Sequence, residues 1–515
     1  MPITHTLRAD IATIWTEPQG GDDIRTVALG HPLDVEEINE RSLHVRLWRY
    51  LLTPEGSKPI YGDGYIRLPK GTKPENVISP VGQDKILKFD FIDVQQGDAA
   101  VMETPSGKVV LFDAGESQLF ARHLARRFPR TTQTKPKAID AIVVSHGDAD
   151  HFAGLAEIAD TETKFADWRR LFIQPKRVFT NGLVKRPGTK NGKSVPDREL
   201  LGKTKSAPGG TFIVDLFDDL LSELPASEMN RPFQAWRRAL ERWNDRFPIE
   251  FKRLALGQDA AFDFLANDGI DISVLGPIET LLPGDEPALS FLHDPPKGPR
   301  VNVDSLAEDE HRFTGALSAS HTINGHSVVL RLEFGNIRFL LTGDLNEEAG
   351  ELLLDNIPDQ LEAEVLKVPH HGSADFSADF IDAVAPVISV VSSGDESVAK
   401  EYIHPRATLV AALGKSSRVA EPVIFITELA AFYGTVGAVT PETHVTDTGG
   451  NLVLNPKALK AFFAFQRLAF GAVRVRTDGQ RLLVYTDSAK ATLKEAYAYE
   501  VDSAHKVKPV AVDQF

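Results

Sequence analysis

Apolar and polar positions change rhythm several times along the chain, and the changes mark elements. From Ile86, short apolar-rich runs alternate with turn residues. ILKFDFIDV and AAVMETP read as strands, SGK as a turn, and VVLFDAG as a strand that ends on Asp113 and Gly115. SQLFARHLARRFP has helical spacing, AIDAIVVS is again a strand, and HFAGLAEIADT is again a helix. Strand, turn, strand and then alternating helix and strand is an α/β pattern. The same alternation returns with DISVLGP, SVVLRLEF, IRFLLTGD, the helix NEEAGELLLDNI, AEVLKVPHHGS and VISVVSSGD.

Three stretches stand apart from this rhythm. Residues 1–84 mix alternating runs such as RSLHVRLWRYLL with Pro- and Gly-rich turns, which predicts a small β-rich N-terminal unit. Residues 160–270 are expected to form a mostly helical, basic insertion, with TFIVDLFDDLLSEL and PFQAWRRALERWNDRF as its helices. Residues 456–515 are expected to add a helix and a hairpin around the Asp478–Gly479 turn. A main domain over 85–455 remains. With 515 residues in all, several units are expected.

The chain has no cysteine, so disulfides and thiolate metal sites are excluded and any metal must be held by His, Asp or Glu. A formal net charge of −15 argues against binding nucleic acid by global charge but permits a local basic groove. No basic segment followed by an apolar core opens the chain, and no apolar run reaches about 18 residues. A soluble, cytoplasmic protein with no membrane association is expected.

The stretch SHGDADH, Ser145–His151, follows the apolar run AIVV and so sits at the end of a strand. In an open α/β sheet, ligands collect at such carboxyl ends. His146 and Asp148 can serve one cation and Asp150 and His151 a second. Imidazole with carboxylate and no sulfur suits Zn²⁺, Mn²⁺ or iron. The plainer reading of any single Asp here is a helix cap. Four such groups within six residues favour a metal site over four separate caps.

These residues resemble the signature loop of the metallo-β-lactamase fold, usually H-x-H-x-D-H. FIDVQQGDAAVMETPSGKVVLFDAG is similar to the opening of its ComEC-type competence-protein subfamily, which also carries Asp at the position of Asp148. RFLLTGD, VLKVPHHGS and YIHP recur in the expected order, so the resemblance covers roughly residues 86–160 and 270–455. It implies a metallo-β-lactamase αββα sandwich, two divalent metal ions (Zn or Mn, with Mg possible) and a hydrolase. It makes Asp344 a ligand shared by both ions and His371 the last ligand, with His370 behind it or on the substrate. Asp113 would orient the histidine loop. Asp93 and Asp98 would lie beside the site, although a plain turn role is nearly as good. In HTINGHSVVL the candidates are His326 as a ligand, His321, and Asn324 as a supporting group. His404 would touch a phosphate or the leaving group. Ser373 would donate to a phosphate oxygen or simply end a helix. Gln95 departs from the glycine that the subfamily prefers, and the competence proteins' membrane channel is absent.

The ligand set favours a metal-activated water as nucleophile. Two cations about 3.5–4 Å apart lower the pKa of water towards neutrality, and Asp150 could take or steer its proton. Such a centre hydrolyses phosphodiesters, lactams or thioesters alike. Substrate choice points to the insertion, where nine basic residues between Lys176 and Lys205, Lys185 and Arg186 among them, face only Asp197 and Glu199. That excess would attract a phosphate backbone, and Trp236 and Trp243 could stack on bases unless they simply bury one face of an amphipathic helix. A phosphodiesterase or nuclease with a nucleic acid or other phosphodiester partner is the leading expectation. A small-molecule hydrolase acting on a lactone, phosphocholine-type ester or cyclic nucleotide, and a non-catalytic metal-binding module, are the alternatives.

Overall fold

The computed structural model describes residues 3–53, 56–164, 166, 169–293, 316–394, 404–427, 436–437, 444–446, 452–454, 461–462, 471–486 and 495–515. The N-terminal unit is a seven-stranded antiparallel sheet, built outward from the long hairpin Ser42–Thr53 and Gly56–Arg67. Alternation sets its faces, as the sequence predicts. Leu43, Val45 and Ile66 point into a core with Leu7, Ile14 and Val77, while His44 meets Asp63 on the other face.

The rest of the described chain is layered. One ten-stranded sheet has Val109–Asp113 near its centre, parallel to Ala141–Val143 and antiparallel to Ala99–Glu103. A six-stranded sheet carries Ile337–Leu341 parallel to Val365–Lys367. The two sheets face each other through Phe89, Met102, Val110 and Phe112 on one side and Val274, Leu330, Phe339 and Val365 on the other. Because side chains alternate along a strand, Val109 and Leu111 point the opposite way, onto helices α1 (Leu119–Arg127) and α2 (Ala149–Thr161). Leu340, Leu366 and Val391 likewise meet α5 (Glu347–Asn356), α6 (Ala378–Val384) and α7 (Ala407–Ser416). The order is helices, sheet, sheet, helices.

Three expectations change. The segment 160–270 is not wholly an insertion, because Arg177–Thr180 and Glu250–Arg253 are parallel strands at the edge of the ten-stranded sheet. TFIVDLFDDLLSEL is not helical. Gly210–Ile213 is a strand, Asp215 after it accepts from Lys203 N on the neighbouring strand's approach (3.0 Å), and Asp219 takes the local backbone N–H of Leu221 (2.8 Å). Such bonds compete with a helix. The other expected helix forms as α3 (Arg231–Arg246; α4, Ala319–Gly325, follows later), started by Asn230 accepting from Phe233 N. Trp236 and Trp243 are both 1% exposed, so they pack the core and are not stacking platforms for bases.

The C-terminal segment joins the main sheet. The expected hairpin forms, and Val473–Thr477 pairs with Leu87–Phe91. The expected helix falls largely outside the described residues, of which Ala461–Phe462 pair as strand. The seam is closed by Asp90, fully buried against Arg474 (2.7 Å), Arg476 (2.7 Å) and Arg127 of α1. Burial opposes the ionised carboxylate, yet Arg474, Arg476 and Arg127 hold it well below the usual range. Asp90→Ala removes the carboxylate that three arginines share, among them the buried Arg476. It is expected to cost about 3–5 kcal/mol, read as a fall in denaturant midpoint at neutral pH. A folded value below the unfolded one means the contribution is present above about pH 4 and is lost as pH falls further. Wild type and variant therefore converge in strong acid.

Candidate metal centre

The site lies where carboxyl ends of strands from both sheets meet, joined by the bond from Val328 N to Ser145 O (2.8 Å). Asp113 ends its strand with φ of 54° and accepts from Ser145 N and Oγ, both at 2.7 Å. It also holds His151 Nδ1 at 2.9 Å, which fixes the ring so that Nε2 faces Asp344 Oδ1 at 3.2 Å. On the opposite strand end, His370 and His371 sit in succession in left-handed backbone, φ 45° and 52°. Non-glycine residues rarely adopt this conformation, and such strain gathers at functional sites. It turns His371 so that Nδ1 bonds Ser392 O (3.0 Å) while Nε2 approaches Asp344 Oδ2 (3.1 Å) and Asp150 Oδ2 (3.3 Å).

Asp98, His151, Asp344 and His371 form a buried group whose ligand atoms lie within 4.8 Å of one another. Asp98 approaches the Nδ1 atoms of the two histidines, at 3.8 Å from His151 and 3.5 Å from His371. Those nitrogens are already engaged by Asp113 and Ser392. Asp98 therefore compensates charge behind the rings, while the Nε2 atoms, Asp344 and Asp150 share a common focus. His151 Nε2, His371 Nε2 and Asp344 Oδ1 are buried without a hydrogen-bond partner. Buried polar atoms are normally satisfied, and orphaned ring nitrogens gathered with carboxylate oxygens suit a divalent cation. The residues present fit a metal.

Electrostatics agree. Burial disfavours a charged His151, but Asp344 and then Asp113 push its pKa well above the ordinary value. His371 is raised in the same way, against burial, first by Asp344. Asp344 and Asp150 are held low despite burial, in each case chiefly by His151. Both shifts favour positive charge at the focus, which is the charge a divalent cation would bring.

The other expected residues separate into those near the focus and those elsewhere. His146 is buried, with Nδ1 beside Ser145 Oγ (3.1 Å) and Nε2 4.0 Å from Asp344 Oδ2. Burial and then His151 hold it neutral, well below its ordinary pKa. Asp148 precedes α2 but makes no capping bond, and it pairs instead with Lys185. Asn324 donates to Asp148 Oδ2 (3.2 Å) when its amide is turned to satisfy its surroundings, and His370 lies on its other side. His404 lies with its ring 6.2 Å from that of His370 and tilted to it, and its pKa is pushed down to about 3 by burial and then by His371 and His370. Asp93 shapes the preceding turn, accepting from Gln95 N (3.0 Å), where Gln95 takes φ 66° in place of a glycine. Ser373 accepts from Asp375 N (3.2 Å).

Two expected assignments are corrected. The structure does not bring His326 to the cluster. Its Nε2 bonds Ser290 O (2.7 Å), it lines a separate cavity of about 130 Å³, and burial lowers its pKa to about 4. His321 faces Asp375 and Asn346. Arg186 is held by Asp215 (2.8 Å) and Glu228 (2.9 Å), so it is committed within the protein and not poised for a phosphate. The basic excess is likewise reduced, since Lys176, Arg177 and Lys205 pair with Asp140, Glu250 and Glu286 from outside that stretch.

One residue of the site is not foreseen from the sequence. Lys367, 5% exposed, contacts Asp98, donates to Gly343 O (2.9 Å) and lies 3.9 Å from Asp344. Its signal is a lysine inside the apolar run VLKV, which a buried strand accepts only with a partner.

Residues 92–164 match the profile of the Metallo-beta-lactamase superfamily, and the chain carries a domain of that superfamily. Part of the chain is 36% identical over 95 residues to ComE operon protein 3 of Bacillus subtilis (strain 168), covering 18% of this chain. Another match, 41% identical over 83 residues and 16% of this chain, is to competence protein ComA of Neisseria gonorrhoeae. Each alignment spans only 12% of the relative's length. Among solved structures, a mutant of the CmlA beta-hydroxylase aligns over 70% of this chain and 56% of its own, at a TM-score of 0.25 and 10% identity, too distant to inform the site.

Proposed function

We propose that this protein is a metal-dependent phosphodiesterase. The observation that carries the reading is the convergence of His151 Nε2, His371 Nε2, Asp344 and Asp150 on one buried focus with polar atoms left unsatisfied. A divalent cation there, Zn²⁺ or Mn²⁺ with Mg²⁺ a further candidate, would supply Lewis acidity and lower the pKa of water. Asp150, 22% exposed at its side chain, receives a hydrogen bond from Gln96 (3.4 Å) and is placed to orient the attacking water. Its depressed pKa makes it a poor proton store, so steering is its role. His404, neutral at physiological pH, and Ser373 offer hydrogen bonds to the substrate's oxygens. The similarity to competence proteins supports a nucleic-acid substrate.

A second reading, a small phosphodiester as substrate, is favoured by the internal pairing of the basic residues and by the burial of both tryptophans. Incubation with Mn²⁺ and bis-p-nitrophenyl phosphate, plasmid, single-stranded DNA or RNA separates the two. Phosphodiester cleavage abolished by chelator and restored by Mn²⁺ is expected. Cleavage of the small diester alone selects the second reading. Tight metal binding with no diester cleaved leaves a metal-binding module and defeats the proposal.

A further inference from the structure

We infer that the chain holds a single cation where the signature loop is laid out for two, and that the Lys185 ammonium takes the second cation's place at Asp148. The inference rests on the metal-dependent reading and deepens it. The first position is well furnished, with His151 Nε2 3.2 Å from Asp344 and His371 Nε2 3.1 Å from Asp344 and 3.3 Å from Asp150. The second position would draw on His146, Asp148 and a side chain from the segment His321–Leu330. Of these, only His146 is directed towards Asp344, at 4.0 Å. Asp148 Oδ1 is engaged by Lys185, and Oδ2 accepts from Asn324 once that amide is turned. His326 is turned to Ser290 O and His321 to Asp375.

Lys185 is fixed in this place. Leu183 and Val184 before it are buried, and its carbonyl accepts from Asn230 N (2.9 Å) at the start of α3. Its side chain is 23% exposed. An ammonium touching Asp148 satisfies that carboxylate's charge and repels a divalent ion brought to the same oxygen. An ammonium has three donors, and those not on Asp148 suit an anionic oxygen of a phosphodiester beside the bound cation. The asymmetry is chemical, with one Lewis-acidic centre and one fixed organic cation.

The test is equilibrium dialysis of the full-length protein against Mn²⁺, with bound metal counted by elemental analysis and its EPR spectrum recorded. Wild type is expected to bind one equivalent with the six-line spectrum of an isolated ion. Lys185→Met is expected to bind a second and to show spin coupling, while Lys185→Arg stays at one. Two equivalents in wild type, or one in a Lys185→Met variant of unchanged melting temperature, overturns the inference. Asp148→Asn provides an independent arm that does not depend on Lys185→Met folding. It should keep the single equivalent, and losing it would place Asp148 among the ligands and overturn the inference. No bound manganese in wild type would instead defeat the metal-dependent reading itself.

Discussion

Asp344→Ala is expected to abolish metal binding and to lower phosphodiester turnover by at least about 10²-fold, beyond the 10–100-fold typical of losing a group that only supports a ligand. Asp344 faces His151 through one oxygen and His371 through the other, so no neighbour can replace it. Removing it also takes away the largest upward push on the pKa of the two imidazoles, so burial should draw both back down. Asp344→Asn keeps the shape but not the charge and should fail nearly as badly. Dialysis with Mn²⁺ and bis-p-nitrophenyl phosphate assays check both variants. Full metal content in Asp344→Ala would remove this residue from the centre.

Metal affinity should climb steeply with pH. Asp344 and the carboxylates around it push the pKa of His151 and His371 upward, and a ligand nitrogen must shed its proton to bind. With up to two protons displaced, affinity should rise up to about 100-fold per pH unit from about pH 6.5 until those raised values are passed. The metal-free protein should show the opposite trend. A folded pKa above the unfolded one gives a stabilising contribution that is whole below about 6.5 and disappears as pH rises through the folded value. Melting curves of chelated protein at several pH values, repeated with Mn²⁺, check this. The metal-induced gain in melting temperature should widen towards alkaline pH, and a flat response would show that the histidines are not the competing groups.

Local clustering decides how much of this could be read in advance. SHGDADH carries four polar groups within six residues at a strand end, and the structure keeps His146, Asp150 and His151 around the same focus. Asp344 and His371 are each a turn residue on their own and gain meaning only from motif order. Lys185 could be picked out as basic, but its partner Asp148 lies 37 positions away, and nothing in the spacing pairs them. The acids that neutralise Lys176, Arg177, Arg186 and Lys205 come from Asp140, Glu250, Asp215, Glu228 and Glu286, beyond any local charge count. Arg177–Thr180 is four residues long, too short for periodicity to distinguish a strand from a loop. His326 misled because a histidine's neighbours in sequence do not show which way its ring turns.

The seam between Leu87–Phe91 and Val473–Thr477 sets a constraint on synthesis. While a ribosome is still short of residue 473, the sheet that carries the signature loop has a bare margin, and Asp90 waits without Arg474 and Arg476. An unpaired apolar margin invites pairing with other chains. Pairing of the last strands is thus expected to close that margin late in synthesis, and fragments cut to the signature region alone are expected to aggregate more readily than the full chain.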